Sequence, residues 1–175
     1  MHAVDREAAT ARLMRFLSIQ GVTGQEKAIG ETIVAALKEA GVAQRSIRFD
    51  KANKQIPLPT ETGNLIVEIP GRGALRNAPR LMFMTHMDTV PLCAGAKPVI
   101  KGRKVVNSAN TALGGDNRTG CAVLTTLAAE LIQTKAAHPP LTLVYTVREE
   151  SGLWGARFVD RGMLGEPGFA FNFDG

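Results

Sequence analysis

Three stretches of the chain, residues 64–69 (NLIVEI), 81–85 (LMFMT) and 141–147 (LTLVYTV), are apolar or β-branched at nearly every position. A strand with one face in water alternates polar and apolar residues, because successive side chains point to opposite faces. These stretches do not alternate, so each needs cover on both faces, as in a largely parallel sheet sandwiched by helices. Between them the period becomes helical. Leu13, Phe16 and Leu17 recur at helical spacing over residues 5–19, with Asp5 placed to cap. Thr23-Gly24-Gln25-Glu26 has the form of a capping box before Ile29, Ile33, Leu37 and Ala40, and Gly41 is the expected stop. The glycine-rich run 114–120 leads into a long helix carrying Leu124, Leu127, Ala128 and Leu131. Lesser signals predict strands at 46–49 and 169–173, a hairpin at 97–106 around Gly102, and a short helix at 151–161. Residues 55–62, with Pro57 and Pro59, and residues 71–79 read as loops. The chain is therefore expected to be α/β, with a mixed, mostly parallel central sheet flanked by helices.

A chain of 175 residues can bury the core of one domain. No apolar run approaches the roughly 18–20 residues of a membrane span. The N-terminus mixes acids and bases with its apolar positions and lacks the order of a secretory signal, so a cytoplasmic setting is expected. The net charge of +5 would suit a nucleic-acid partner, but Lys and Arg form no stripe and aromatics at 5% are too few for a base-stacking surface. Neither nucleic acid nor membrane is expected as a partner. Cys93 and Cys121 make neither a disulfide framework nor a CxxC pair; Cys121 reads as a buried small hydrophobe and Cys93 as a loop thiol.

Ligands of such sheets gather at the C-terminal ends of strands. Four polar clusters fall at such places: His86 and Asp88 after one strand, Asp116 at a helix start, Glu149 and Glu150 after residue 147, and Asp174 after residue 173. Each has a plainer reading. His86 can be a satisfied core histidine, Asp88 an Asx-turn residue, Asp116 a cap, Glu149-Glu150 a solvated helix start and Asp174 a turn residue. Their shared position at strand ends is what favours a common purpose. One imidazole with several carboxylates suits zinc, manganese or cobalt. His86 and Asp88 lie two residues apart on a strand and so point the same way. His86 can then bind a metal through one nitrogen while Asp88 accepts a hydrogen bond from the other. If the backbone stays extended, one of Glu149 and Glu150 can bind metal while its neighbour takes a proton from a water that the metal has made more acidic.

At these residues the sequence resembles the co-catalytic di-zinc peptidases, a family that includes peptidase T (tripeptide aminopeptidase), carboxypeptidase G-type enzymes, aminoacylases and succinyl-diaminopimelate desuccinylase. The matching pieces are His86-Met87-Asp88-Thr89-Val90, Gly115-Asp116-Asn117-Arg118-Thr119-Gly120, Glu149-Glu150-Ser151-Gly152 and Phe173-Asp174-Gly175. The peptidase T branch is the nearest in flavour. The resemblance implies two zinc ions in a complete site, with cobalt or manganese as substitutes. It implies that His86 and Asp174 bind the first, Glu150 the second, and that Asp116 bridges them. Glu149 is then the general acid/base and Asp88 the hydrogen-bonded partner of His86. It also implies a cis peptide bond between Asp116 and Asn117, a short-peptide substrate, and a homodimer formed through a lid domain.

The sequence departs from that pattern in two ways. Asn117 and Arg118 stand where the family often has a second acid and Lys. Family members are about twice as long or more, and their last metal-binding His lies far down the chain; His2 and His138 match no family motif. Residues 1–175 are therefore expected to be the N-terminal segment of the catalytic domain, with the lid and the C-terminal segment outside this chain. Alone, this segment is expected to hold at most one metal tightly, to have negligible peptidase activity and to associate through uncovered apolar surface. Aminopeptidase action on short peptides is the leading expectation. The alternatives are another amidohydrolase of the family or a non-catalytic metal- or peptide-binding fragment.

Overall fold

The structure is a computed structural model describing residues 3–175; His2 lies outside them. Two amphipathic helices open the chain, α1 (Arg6–Ser18) and α2 (Lys27–Glu39). Asp5 caps α1 as expected, its carboxylate accepting the N–H of Ala8 at 2.9 Å. Helix α2 ends in a complete Schellman motif: Gly41, at φ +95°, donates to the carbonyl of Lys38, and Val42 to that of Leu37. The capping box at its start does not form. The Thr23 hydroxyl pairs with Ser151 instead, at 2.9 Å, and α2 begins without a side-chain cap.

The strands are β1 (Ile47–Phe49), β2 (Leu65–Ile69), β3 (Leu81–His86), β6 (Leu141–Thr146) and β7 (Phe169–Asn172), in the spatial order β1-β2-β6-β3-β7. β2 runs antiparallel to both its neighbours, while β3 is parallel to β6 and to β7. Four of the five strands thus run the same way, and the mixed, mostly parallel sheet is as the sequence implied. The hairpin of β4 (Pro98–Lys101) and β5 (Lys104–Asn107) stands apart from this sheet and turns at Gly102, whose φ is +61°. The predicted helix at 151–161 is shorter than expected: α4 covers Trp154–Arg157, and a single 3₁₀ turn follows at Arg161–Met163.

Helices α1 and α2 and the long α3 (Gly115–Thr134) cover one face of the sheet. Phe16, Ile29, Ile33, Leu37, Leu124 and Ala128 pack there with Leu65, Val67, Leu143 and Tyr145, all fully buried. A smaller cluster of Ile66, Met82 and Val144 lies on the other face under Val159, Met163 and Leu164. Every side chain of β6 is buried, which is why residues 141–147 cannot alternate. β7 is different. All four of its residues are exposed, and Phe171 stacks on Phe83 with centroids 5.5 Å apart. Among the described residues no helix is long and apolar enough to cross a membrane.

Candidate active site

Parallel pairing decides where the polar clusters meet. His86 is in register with Thr146, and Met84 with Asn172, so β3, β6 and β7 end on the same edge of the sheet. His86 closes β3; Glu149 and Glu150 follow β6; Asp174 follows β7. Asp116 joins them from the start of α3. Its φ/ψ of −82°/110° and those of Asn117, −120°/43°, are not helical, and the Asp116–Asn117 bond is cis, as the resemblance implied.

His86 is buried and sits at the centre. Its Nε2 lies 3.0 Å from Asp116 Oδ1, 3.4 Å from Asp174 Oδ1 and 3.9 Å from Glu149 Oε2. Its Nδ1 lies 3.0 Å from the backbone carbonyl of Asp88 and 3.3 Å from the Asp88 carboxylate. With one proton on Nδ1 facing these acceptors, Nε2 can present a lone pair to the cluster once it gives up its own proton. Asp88, fully buried, also accepts the N–H of Glu149 on Oδ1 at 3.0 Å and that of Glu150 on Oδ2 at 3.2 Å. One carboxylate thus orients the imidazole and the loop bearing both glutamates.

The donor groups fall into two overlapping sets, His86–Asp116–Asp174 and His86–Glu149–Glu150, each with one ligand atom per residue within 4.8 Å of the others. These sets hold five of the six residues singled out in the sequence, and Asp88 joins them through Nδ1 of His86 and the N–H groups of Glu149 and Glu150. His138 is in neither set; its backbone pairs with Arg72, and its Nδ1 lies 2.8 Å from the Pro139 carbonyl.

The electrostatics are those of a site built for positive charge. Burial pulls the His86 imidazolium down, but the hydrogen bond and charge of Asp88, with Glu149 and Asp116, outweigh it and lift the pKa to about 9. Burial, and then the charges of neighbouring carboxylates, push both Glu149 and Glu150 up, against the lowering effect of His86. Several carboxylates around one nitrogen repel one another unless protons or cations intervene. A nitrogen donor and hard oxygen donors, open to solvent on the side where Asp116 and Asp174 are exposed, fit a divalent ion such as zinc, cobalt or manganese.

Three supporting residues were not foreseen. Glu26, fully buried, accepts the N–H of Gly24 at 2.7 Å and of Arg148 at 3.0 Å, tying the start of α2 to the residue before Glu149. Asn64 accepts the N–H of Val147 at 3.1 Å and donates to Asp50 at 2.8 Å and to the Gly155 carbonyl at 3.0 Å, bracing the same loop. Arg118, buried beneath the site, donates to the carbonyls of Ile19 and Gly21, both at 3.3 Å. The only sequence signal for Glu26 was the box motif, which pointed to a different partner.

The parallel strands thus deliver one imidazole and several carboxylates to a single edge of the sheet, the layout of a metal-binding site at strand ends. The chain belongs to Peptidase family M28, whose model matches residues 64–175. Among curated proteins it is 35% identical over 114 residues to the uncharacterized protein YqjE of Bacillus subtilis, covering 65% of this chain and 30% of that one. It is 27% identical over 152 residues to the cytosol non-specific dipeptidase of Escherichia coli, covering 81% and 28%. The solved aminopeptidase PepT of Bacillus cereus superposes with a TM-score of 0.87 at 26% identity, over 98% of this chain and 44% of that one. A tripeptidase of Staphylococcus aureus shares the fold, with a TM-score of 0.87 at 23% identity over 99% and 44%. The chain thus spans under a third of the length of these curated relatives and under half of these solved structures.

Proposed function

We propose that this chain is the N-terminal part of a metal-dependent peptidase catalytic domain that hydrolyses short peptides, as an aminopeptidase of the tripeptidase kind. The observation that carries the reading is the convergence of Asp116 and Asp174 on Nε2 of His86 while Asp88 occupies Nδ1. The short-peptide assignment draws support from the dipeptidase among its relatives, and the aminopeptidase assignment from PepT.

In this reading His86, Asp116 and Asp174 would hold one ion, and Glu150 with Asp116 would hold a second. When bound, such ions make water more acidic and polarise a peptide carbonyl. The chain's own groups do the rest. Asp88 keeps His86 in the tautomer whose Nε2 faces the site. Burial disfavours the charged form of Glu149, and the charges of Asp174, Asp88 and Asp116 add to this against the opposing pull of His86, so its carboxylate is more basic than an isolated one. Glu149 takes the proton from the attacking water and returns it to the departing amine nitrogen, so each turnover leaves it as it began.

The test is made on the complete natural protein. Dialysis against a chelator should abolish tripeptide and dipeptide hydrolysis, and zinc, cobalt or manganese should restore it. Full activity in demonstrably metal-free protein would refute the proposal.

A further inference from the structure

The regular part of α3 does not begin where its first turn does. Asp116 and Asn117 have non-helical backbone angles, and the residue that caps the regular helix is Asn117. Its Oδ1 accepts the N–H of Gly120, three residues on, at 2.9 Å. The approach is close: a Cβ on residue 120 would lie 2.5 Å from that oxygen, so the position requires glycine. The other half of the amide faces elsewhere. Asn117 Nδ2 donates to the backbone carbonyl of Phe173 at 2.6 Å. The N–H of Phe173 in turn donates to the Met84 carbonyl at 2.9 Å. Phe173 is thus held on one side by β3 and on the other by Asn117.

The residue before Asn117 is Asp116, and the residue after Phe173 is Asp174. The Asn117 amide, only 2% exposed, therefore joins the backbone beside each of the two carboxylates that face His86 Nε2. We propose that Asn117 is a positioning residue that sets the placement of Asp174 relative to Asp116, and so the fit of the His86–Asp116–Asp174 set to a divalent ion. This rests on the reading of that set as a metal site.

The two ends of the amide can be separated chemically. A carboxylate at 117 still accepts from Gly120 and suits a helix N-terminus. It cannot donate to Phe173, and it would set two acceptor oxygens against each other where a hydrogen bond now stands. Asn117→Asp thus keeps the cap and breaks the tie. Asn117→Ser also keeps a capping oxygen but has no amide to reach Phe173.

The experiment is a double-mutant cycle on the complete natural protein, with Asp174→Asn as the second change. Zinc affinity is read by calorimetric titration, and the cobalt-substituted proteins are compared by visible absorption, which reports coordination. Asn117→Asp keeps the cap but gives up the buried tie to Phe173, so it should stay folded and melt several degrees below wild type when metal-free. It should lose about 10–100-fold in zinc affinity, the range for groups that orient ligands. Its cobalt spectrum should move toward that of Asp174→Asn. With Asp174 already replaced, the change at 117 should cost little more. Asn117→Ser goes through the same cycle, so the result stands even where the buried aspartate lowers the yield of folded protein. Wild-type zinc affinity in both 117 variants, or an equal loss with and without Asp174, would overturn the inference. Failure of the underlying metal reading shows separately, as a wild-type protein that takes up no zinc.

Discussion

Asp88 and His86 are joined twice, through a backbone carbonyl 3.0 Å and a carboxylate oxygen 3.3 Å from the same imidazole nitrogen. Because the Asp88 carboxylate also receives the N–H groups of Glu149 and Glu150, the ring and the loop cannot shift independently. Asp88→Asn replaces an acceptor by an amide whose NH₂ must oppose one of those donors. It should lower zinc affinity about 10–100-fold, as loss of the group orienting a metal-bound histidine does. Calorimetric titration measures this, and unchanged affinity in the folded variant would count against the orienting role.

Glu149 is assigned to proton transfer, so its removal should separate binding from turnover. In the complete protein, Glu149→Ala is expected to keep its zinc and to lose about 10²–10⁴-fold in kcat. Metal content by elemental analysis, set beside peptide hydrolysis, decides it. Near-wild-type turnover at full occupancy would contradict the assignment.

Asn64 makes three buried hydrogen bonds that fix the loop after β6 to Asp50 and Gly155. Asn64→Ala strands the Val147 N–H and the Gly155 carbonyl without partners. A buried unsatisfied group costs about 1–3 kcal/mol, so a loss of roughly 2–4 kcal/mol is expected by urea unfolding. A loss under about 0.5 kcal/mol would show that the loop is braced elsewhere.

Burial pushes the Glu26 carboxyl from 4.5 up to about 6, against the lowering effect of its two backbone donors. The folded state thus holds this proton more tightly than the unfolded chain. The resulting stability is fully present below pH 4.5 and lost as pH rises through about 6. Its size is roughly 2 kcal/mol at 1.36 kcal/mol per pKa unit. Glu26→Gln does not titrate, so its stability relative to wild type should rise by about that amount between pH 4.5 and 6.5. Parallel stability–pH curves for the two proteins would remove Glu26 as the source.

The strands were legible because both their faces are covered: β6 has no exposed side chain, and no polar alternation interrupts it. The site was legible because strand ends punctuate those runs, and parallel pairing brings the ends of β3, β6 and β7 to one edge. What the sequence did not show depends on partners far along the chain. Thr23 and Glu26 have the spelling of a local box, yet Thr23 bonds Ser151 and Glu26 bonds Arg148, contacts no local pattern encodes. Asn117 stood out only as a departure from a family pattern, because its second partner, Phe173, lies 56 residues away. The helix expected over residues 151–161 forms only at Trp154–Arg157, around a Gly155 packed so closely that a Cβ would lie 2.5 Å from Asn64 Oδ1, a contact no local pattern encodes.

His86, Asp116 and Asp174 are proposed to hold a divalent ion. The most direct measurement is anomalous diffraction at the zinc edge from crystals of the zinc-loaded protein. The expected result is a peak about 2.0–2.2 Å from His86 Nε2 and from a carboxylate oxygen of each aspartate. A zinc-saturated crystal with no peak at His86, or with its zinc bound elsewhere, would contradict it.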